Sequence, residues 1–430
     1  MLDQLFDLRA RGTNVGTEVR AGVVTFLTLS YILFVNPQIL SQAGLPANDV
    51  VVATAIASAV ATAIMGIWAN YPFALAPGMG LNAYFTFGVV GAMGVDWQIA
   101  LAAVFVEGML FLVLALTGIR GAVLRAIPTP IKVATMSGIG LFLAMIGLQN
   151  AGVVTADPVT LVALGDISVP GTLLSLAGVI LIAALMARRV RGAILIGILA
   201  VAISSWLIAI APPPEQLLTI PALPKETFLA LDLRGLFTGK MLGVILAFLF
   251  VDFFDTAGTL IGVGRLAGFV DDKGDLPRAN RAFTADALGT TVGALLGTST
   301  VTSYVESATG VEEGGRTGLT AVTVSVLFLA SLFFTPLFVA VPAIATAPAL
   351  IIVGALMMRG ARDVEWSIPE QGIPAFLTMI VMPLTYSIAN GITIGVIAYV
   401  SIMVLAGKWR QLHPLVIFVS AALLLFYLWK

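Results

Sequence analysis

Apolar residues in this chain neither alternate strictly nor recur only every third or fourth position. They run in blocks. Crossing a bilayer as a helix takes about 20 mostly apolar residues, and blocks of that kind fall at 19–40, 48–68, 73–91, 98–118, 128–148, 170–187, 191–211, 239–263, 282–297, 299–313, 317–337, 341–358, 372–389 and 391–407. That predicts fourteen spans, with a further apolar stretch, Pro414–Trp429, left over. Basic residues cluster at alternate connections: Arg120, Arg125 and Lys132; Arg188, Arg189 and Arg191; Arg265, Lys273, Arg278 and Arg281; Arg316; Arg359 and Arg362; Lys408 and Arg410. The connections near Gln42–Asn48, Gly94–Gln98, Asn150–Val169 and Phe338–Val341 carry no Lys or Arg, whereas Pro212–Lys240 mixes both signs. The positive-inside rule then puts the N-terminus and most basic loops in the cytoplasm.

Two blocks break the helical pattern. PFALAPGMGLNAYF, Pro72–Phe85, places Pro77, Gly78 and Gly80 inside span three, with the polar Asn82 beside them. GTSTVTSYVESATGV, Gly297–Val311, makes span ten short and rich in Ser and Thr, with Glu306 inside it. Helix-breaking residues in mid-span are tolerated where the freed backbone lines a polar cavity. The two halves are also related. ILIGILAV at Ile194–Val201 matches ITIGVIAY at Ile392–Tyr399, and the segment Ile127–Leu148 is similar to Val341–Gly360. These matches pair span seven with fourteen and five with twelve, so the second copy is inverted: seven plus seven spans. Broken segments at matching positions of two inverted halves point to a transporter binding site.

Composition narrows the class. The chain has 430 residues, 59% hydrophobic and 10% charged, whereas soluble domains carry about 25% charged residues. With a mean hydropathy of +1.04, it reads as an all-α polytopic membrane protein embedded in a lipid bilayer; a β-barrel would give a much weaker signal. A net charge of −1 offers no footprint for nucleic acid. Zero Cys and a single histidine, His413, leave no thiolate metal site, haem centre or nucleophile–base pair, so no cofactor, metal or enzymatic activity is expected. The first twenty residues lack the long apolar core of a signal peptide; Leu2, Leu5, Phe6 and Leu8 suit one face of a short interfacial helix or a cytoplasmic tail.

Acids inside spans carry the candidate chemistry. A charge at the bilayer centre costs at least about 2.5–3.5 kcal/mol and defaults to function. Asp252 and Asp255, in LFVDFFDTAGTL, share a helix face with Thr256 and Thr259. Like charges a turn apart favour protonating one of the two. Glu306 follows a polar run and is expected to face a wet cavity. Glu107 has no polar sequence neighbours and reads as a structural hydrogen-bonding group. Asp286 reads as a helix-start or structural residue, and Glu312, Glu313 and Arg316 as solvated ends or ion pairs. Gly258 and Gly262 are spaced like a close-packing face. Aromatics such as Phe26, Tyr84, Phe250 and Tyr304 belong to core or lipid contact by default; Phe250 and Tyr304 are the ones chosen to stack on a planar ligand, with Ser303 as a polar neighbour.

EVRAGVVTFLTLSYILFVNP (Glu18–Pro37), APGMGLNAYF (Ala76–Phe85), LFVDFFDTAGTLIGV (Leu249–Val263) and GTSTVTSYVESATGVEEGGRTGL (Gly297–Leu319) together resemble the AzgA-like purine permeases, a branch of the nucleobase–cation symporter superfamily. The resemblance runs from about Glu18 to the C-terminus. It implies a core domain of spans 1–4 and 8–11 (18–120 and 239–337), a gate domain of spans 5–7 and 12–14 (121–212 and 338–407), and an apolar tail at 408–430. It also implies proton-coupled uptake of adenine, guanine or hypoxanthine through the cell (inner) membrane. The base-holding acids of that family fall on Asp255, with Asp252 the nearby competitor, and on Glu306, and the asparagine of the span-three motif falls on Asn82. Asp255 is the first choice for the coupling proton, Glu306 the second, and Asp252 is assigned a structural part beside them. The bare chemistry agrees: carboxylates accept the ring N–H donors of a neutral purine, and freed backbone N–H groups can meet its acceptors. Same-fold transport of uracil, xanthine or an anion, a channel and a non-transporting membrane protein are the competing classes. Proton versus sodium coupling, the preferred purine and the role of Pro414–Trp429 as a fifteenth span, an embedded tail or a homodimer contact stay open.

Overall fold

The computed structural model describes residues 2–117, 128–236, 239–271, 276–414, 416–417, 420–421 and 423–424. Arg120, Arg125, Lys273, the 120/121 domain junction and most of the 414–429 tail lie outside the described residues. In chain order the helices are α1 (Leu2–Phe6), α2 (Val15–Leu29), α3 (Ile32–Ser41), α4 (Ala47–Ile64), α5 (Met79–Ala83), α6 (Trp97–Thr117), α7 (Thr129–Asn150), α8 (Pro170–Ala187) and α9 (Ala193–Leu207). They continue as α10 (Gly239–Leu266), α11 (Ala279–Leu296), α12 (Ser307–Glu312), α13 (Gly318–Ser331), α14 (Thr335–Ala340), α15 (Ala343–Met357), α16 (Pro369–Thr385) and α17 (Ile388–Leu405). Four short strands intervene: β1 (Leu75–Pro77), β2 (Val154–Asp157), β3 (Leu161–Leu164) and β4 (Val301–Ser303).

Helix ends follow local chemistry. Asn14 caps α2 by accepting from the Thr17 N–H at 3.0 Å, Thr317 and Ser387 cap α13 and α17, and Pro170 and Pro369 open α8 and α16. The fully buried Glu18 accepts from the N–H groups of Arg316 (2.8 Å) and Thr317 (3.2 Å) and from the Thr320 hydroxyl (2.6 Å). Its carboxylate thereby satisfies free donors at the start of α13. Arg316 donates to the carbonyls of Val311 and Gly315, and Glu313 pairs with Arg20 and Arg191, so the ion pairs expected beyond span ten form there.

Among the described residues, nine helical segments are long and apolar enough to cross a membrane. They correspond to the expected spans one, two, four, five, six, eight, eleven, twelve and fourteen. The other five predicted blocks fall short of that measure for identifiable reasons. Span seven is the 15-residue α9, and span thirteen is the 17-residue α16, which contains Pro374 and Pro383. Span nine, α11, is long enough but carries Arg281, Asp286 and several Thr residues. Spans three and ten are each a strand followed by helix: β1 then α5, and β4 then α12.

The chain divides into two compact units, Met1–Leu116 with Gly147–Ala349, and Thr117–Ile146 with Leu350–Lys430. The first unit contains both broken segments and an aromatic cluster of Phe111, Phe253 and Phe283, with ring centroids 5.6–5.9 Å apart. Its mixed-charge connection, 212–236, is tied to the body through Asp49, which accepts from three successive N–H groups, those of Lys225, Glu226 and Thr227. The connection after α7 forms an exposed β2–β3 hairpin. Hydrogen bonds from Thr160 and Val159 at its turn hold the Asp157 carboxyl below the usual carboxylate range. The second unit packs Ile131 with Val396, Val400 and Met403, and Ala134 with Ala375 and Met379.

Glycine permits a close backbone-to-backbone crossing within the second unit. A Cβ on Gly140 would lie 2.6 Å from the Gly354 carbonyl oxygen, and one on Gly354 would lie 2.4 Å from that of Gly140. By contrast Gly258 and Gly262 are exposed, and a Cβ on Gly262 would meet nothing within 4 Å. The close-packing face expected there is absent among the described residues, because their spacing puts both on the open side of α10. Gly354→Val is therefore expected to cost about 1–3 kcal/mol by overpacking and to lower the melting temperature of detergent-purified protein. Gly262→Ala should leave it unchanged. Equal melting of the two variants would contradict the crossing.

Candidate functional site

A strand inside a membrane-length segment exposes peptide groups that no helix satisfies. Here β1 and β4 satisfy each other. They pair antiparallel, with Leu75 opposite Ser303, Ala76 opposite Thr302 and Pro77 opposite Val301. The pair extends at both ends, where the Gly78 N–H donates to the Thr300 carbonyl and the Tyr304 N–H to the Ala74 carbonyl, each at 2.9 Å. Pro77 has no N–H to lose, and Gly78 presses close, since a Cβ there would lie 2.8 Å from the Thr302 methyl. Each outer edge is clamped by one threonine. The Thr62 hydroxyl of α4 accepts from the Leu75 N–H (2.9 Å) and donates to the Leu75 carbonyl (3.0 Å). The Thr290 hydroxyl of α11 accepts from the Val301 N–H (3.1 Å) and donates to the Val301 carbonyl (2.9 Å). The same device thus recurs in both halves of the chain.

Beside this pair lie two half-buried carboxyl groups. Asp255 on α10 is in electrostatic reach of Glu306 and in hydrogen-bonding range of Thr302. Glu306, just ahead of α12, accepts a 2.7 Å hydrogen bond from the hydroxyl of Tyr31, which is buried at the junction of α2 and α3. Tyr304 donates to the Pro77 carbonyl at 2.6 Å, and its ring centroid lies 6.5 Å from that of Tyr31. Two aromatic rings and two carboxyl groups thus converge where the strands end.

Behind the strands is a second, fully buried acidic group: Asp252, Asp286 and Glu107. Asp286 accepts from Thr256 (2.8 Å) and from Ser303 (3.1 Å). Asp252 has the Thr290 hydroxyl at 3.5 Å and interacts with Glu107 and Asp286. Glu107 lies within reach of Asp252 and Thr300, yet neither of its oxygens makes a hydrogen bond of standard geometry. The Thr256 and Thr302 hydroxyls, 2.8 Å apart, link Asp286 to Asp255. Among the described residues no Lys or Arg pairs with any of these five acids.

The residues singled out from sequence divide accordingly. Asp255, Glu306 and Tyr304 come together. Asn82 is fully buried; its Oδ1 is bonded by the Ser299 hydroxyl and its Nδ2 has no partner, so both amide N–H donors are left over. Ser303, on β4, donates its hydroxyl to Asp286. Phe250 is half-buried and stacks on Phe254 at 6.4 Å with rings 8° from parallel. Asp286 is not a helix-start residue but an inward-facing acid in the body of α11. Sequence reasoning missed Tyr31, Thr62 and Thr290 altogether. The hollows at Gln149–Gly152 with Ile344 (about 380 Å³) and at Asp96–Gln98 with Asp232 (about 480 Å³) touch none of these residues.

Thr290→Val keeps the shape of the side chain but leaves the Val301 N–H and carbonyl unpaired. At about 1–3 kcal/mol for each unsatisfied group, the purified variant should melt several degrees lower than the parent and yield less protein. Unchanged melting would show that the clamp is dispensable.

Comparison with known proteins now gives this architecture a context. A model described as Permease family matches residues 16–394. A permease of Methanocaldococcus jannaschii is 50% identical over 96% of this chain and 95% of its own. The guanine/hypoxanthine permease PbuO of Bacillus subtilis is 44% identical, covering 96% of this chain and 97% of its own, and the adenine permease AdeP of Escherichia coli is 42% identical, covering 99% and 95%. Among solved structures, the transmembrane domain of a cyanobacterial bicarbonate transporter, BicA, superposes with a TM-score of 0.67 at 17% identity, covering 88% of this chain and 97% of that one. That likeness concerns the fold alone. With its broken segments, its buried acids and full-length relatives at this identity, the chain belongs to the Permease family and is a multi-pass membrane transporter, not an enzyme.

Proposed function

We propose that this protein imports purine nucleobases (adenine, guanine or hypoxanthine) together with protons. The observation that carries the reading is the convergence of Asp255 and Glu306 at the ends of the β1–β4 pair, in a unit whose relatives include guanine/hypoxanthine and adenine permeases. A flat neutral base offers N–H donors along one edge, and two carboxylates accept them strongly. An unmatched base would leave a buried acid unpaired, which gives selectivity. Tyr304 is the nearer aromatic for stacking, and Asn82 offers an amide donor behind the strand. Phe250 and Ser303 stay in the substrate-binding set as lining of α10 and β4.

Several features support coupling to protons. Among the described residues no Lys or Arg pairs with the five acids, so in this reading a proton neutralises them. The hydroxyl chain through Thr302 and Thr256 joins Asp255 to Asp286 and gives a proton somewhere to go. Asp255 is the proton carrier in this reading, Glu306 the alternative, and Asp252 a structural partner of the buried group. Two like devices, Thr62 on Leu75 and Thr290 on Val301, agree with two inverted sets of seven spans. On that reading the core domain is 18–120 and 239–337 and the gate domain is 121–212 and 338–407, and alternating access comes from movement of one against the other. The basic connections put the N-terminus in the cytoplasm of a cell whose inner membrane holds the protein. A site with two carboxyl groups that no Lys or Arg pairs with among the described residues is unsuited to an anion, whatever the fold shares with a bicarbonate transporter.

In proteoliposomes Glu306→Gln should weaken purine uptake about tenfold or more, since a hydrogen bond to a charged group is worth about 1.5–3 kcal/mol. Near-normal uptake by that variant would remove Glu306 from the site. Asp255→Asn separates binding from coupling. It should lose accumulation driven by an imposed pH difference, whatever purine exchange it keeps. If Asp255→Asn still concentrates purine against a gradient when the pH difference is applied, the proton sits elsewhere.

A further inference from the structure

We infer that Tyr31 is a positioning residue that fixes Glu306 in the orientation which reads the base. This rests on the purine-site reading above and adds a residue to it. Glu306 is free to rotate in principle, because its carboxyl is half-buried and sits in the turn before a short helix. The structure removes that freedom from one side. Tyr31 is 1% exposed, and its hydroxyl donates to Oε1 of Glu306 at 2.7 Å. Tyr31 takes one acceptor position of the carboxylate and the Glu306 N–H lies in range of another, so the remaining lone pairs are held in a fixed direction to accept from a ligand N–H.

The bond is built in by the backbone. The Tyr31 carbonyl accepts from the N–H groups of Phe34 (3.1 Å) and Val35 (3.0 Å), so the residue is locked into the first turn of α3. On the other side α12 is pressed onto α2. A Cβ on Gly310 would lie 2.0 Å from the Thr25 hydroxyl oxygen and 2.9 Å from the Ala21 carbonyl oxygen, and the hydroxyls of Thr309 and Thr28 are 3.3 Å apart. Donor and acceptor are thus held by two packed helices rather than by the hydrogen bond alone. The Tyr31 ring also lies beside Tyr304, whose own hydroxyl is committed to Pro77. Tyr31 is therefore the aromatic residue that couples the junction of α2 and α3 to the substrate-facing acid. Preorganising an acceptor in this way raises affinity and sharpens discrimination among bases that differ in where they carry N–H groups.

The test is radiolabelled purine binding to purified protein, with uptake in proteoliposomes alongside. Tyr31→Phe should raise KM and Kd about tenfold, the loss of one hydrogen bond to a charged group, while Vmax changes less than about threefold and the ranking of adenine, guanine and hypoxanthine flattens. Tyr31→His keeps a ring donor and should retain most of the affinity that Phe loses. In a Glu306→Gln background Tyr31→Phe should add little further loss, because the two residues act through one contact. Unchanged Kd and ranking in Tyr31→Phe, a His variant as weak as Phe, or fully additive losses would each overturn the assignment while leaving the purine site standing. Absence of saturable purine binding by the unmodified chain would overturn the substrate reading and this inference with it.

Discussion

A peptide group buried in an apolar span must find a partner or cost several kcal/mol. The structure depends on how that constraint is met at β1 and β4. Two interrupted segments, more than two hundred residues apart in sequence, complete each other's backbone hydrogen bonds. Thr62 and Thr290 close the outer edges, each with one hydroxyl serving both the N–H and the carbonyl of a single residue. Once the backbone is satisfied this way, helix can stop in mid-span and polar side chains can enter an otherwise apolar interior.

The acids then sort into two environments. Asp255 and Glu306 are half-buried at the strand ends, while Asp252, Asp286 and Glu107 are enclosed behind them. The two-aspartate spacing on α10 has its reason in that division. Residues three apart on a helix lie on neighbouring but distinct lines, so Asp252 points into the closed group and Asp255 toward the open one. The Thr256–Thr302 hydroxyl pair sits between the two environments.

Much of this was legible in the sequence, for physical reasons. Pro77, Gly78 and Gly80 cannot continue a buried helix, and a Ser/Thr-rich block with a Glu cannot lie against lipid, so both breaks and the candidate acids stood out. Other features carry no sequence signal. A threonine in a membrane helix often bonds its own backbone one turn back, as Thr28 does to Val24 and Thr54 to Val50, and nothing in the local sequence distinguishes Thr62 or Thr290 from these. Tyr31 looks like any aromatic in an apolar run, because its partner is 275 positions away. Asp286 follows Arg281 closely and reads as a helix start, yet the helix begins at Ala279 and carries it inward. The Gly258 and Gly262 spacing misled because a small-residue stripe looks the same whether it faces a neighbour or open space. Spans seven and thirteen are expected at full length, but the helix of the first stops at Ile208 and that of the second, which runs through Pro374 and Pro383, stops at Tyr386, whose backbone is left-handed.

In the proposed mode of transport the carboxyl pair beside the strands holds a neutral purine and a proton accompanies it. The most direct measurement is accumulation of radiolabelled adenine, guanine and hypoxanthine by proteoliposomes containing the purified wild-type protein, under an imposed inward proton gradient. Concentrative uptake of at least one purine is expected, abolished by a protonophore and competed by other purines but not by bicarbonate. Bicarbonate uptake in its place, or purine uptake indifferent to the gradient, would contradict that mode of transport.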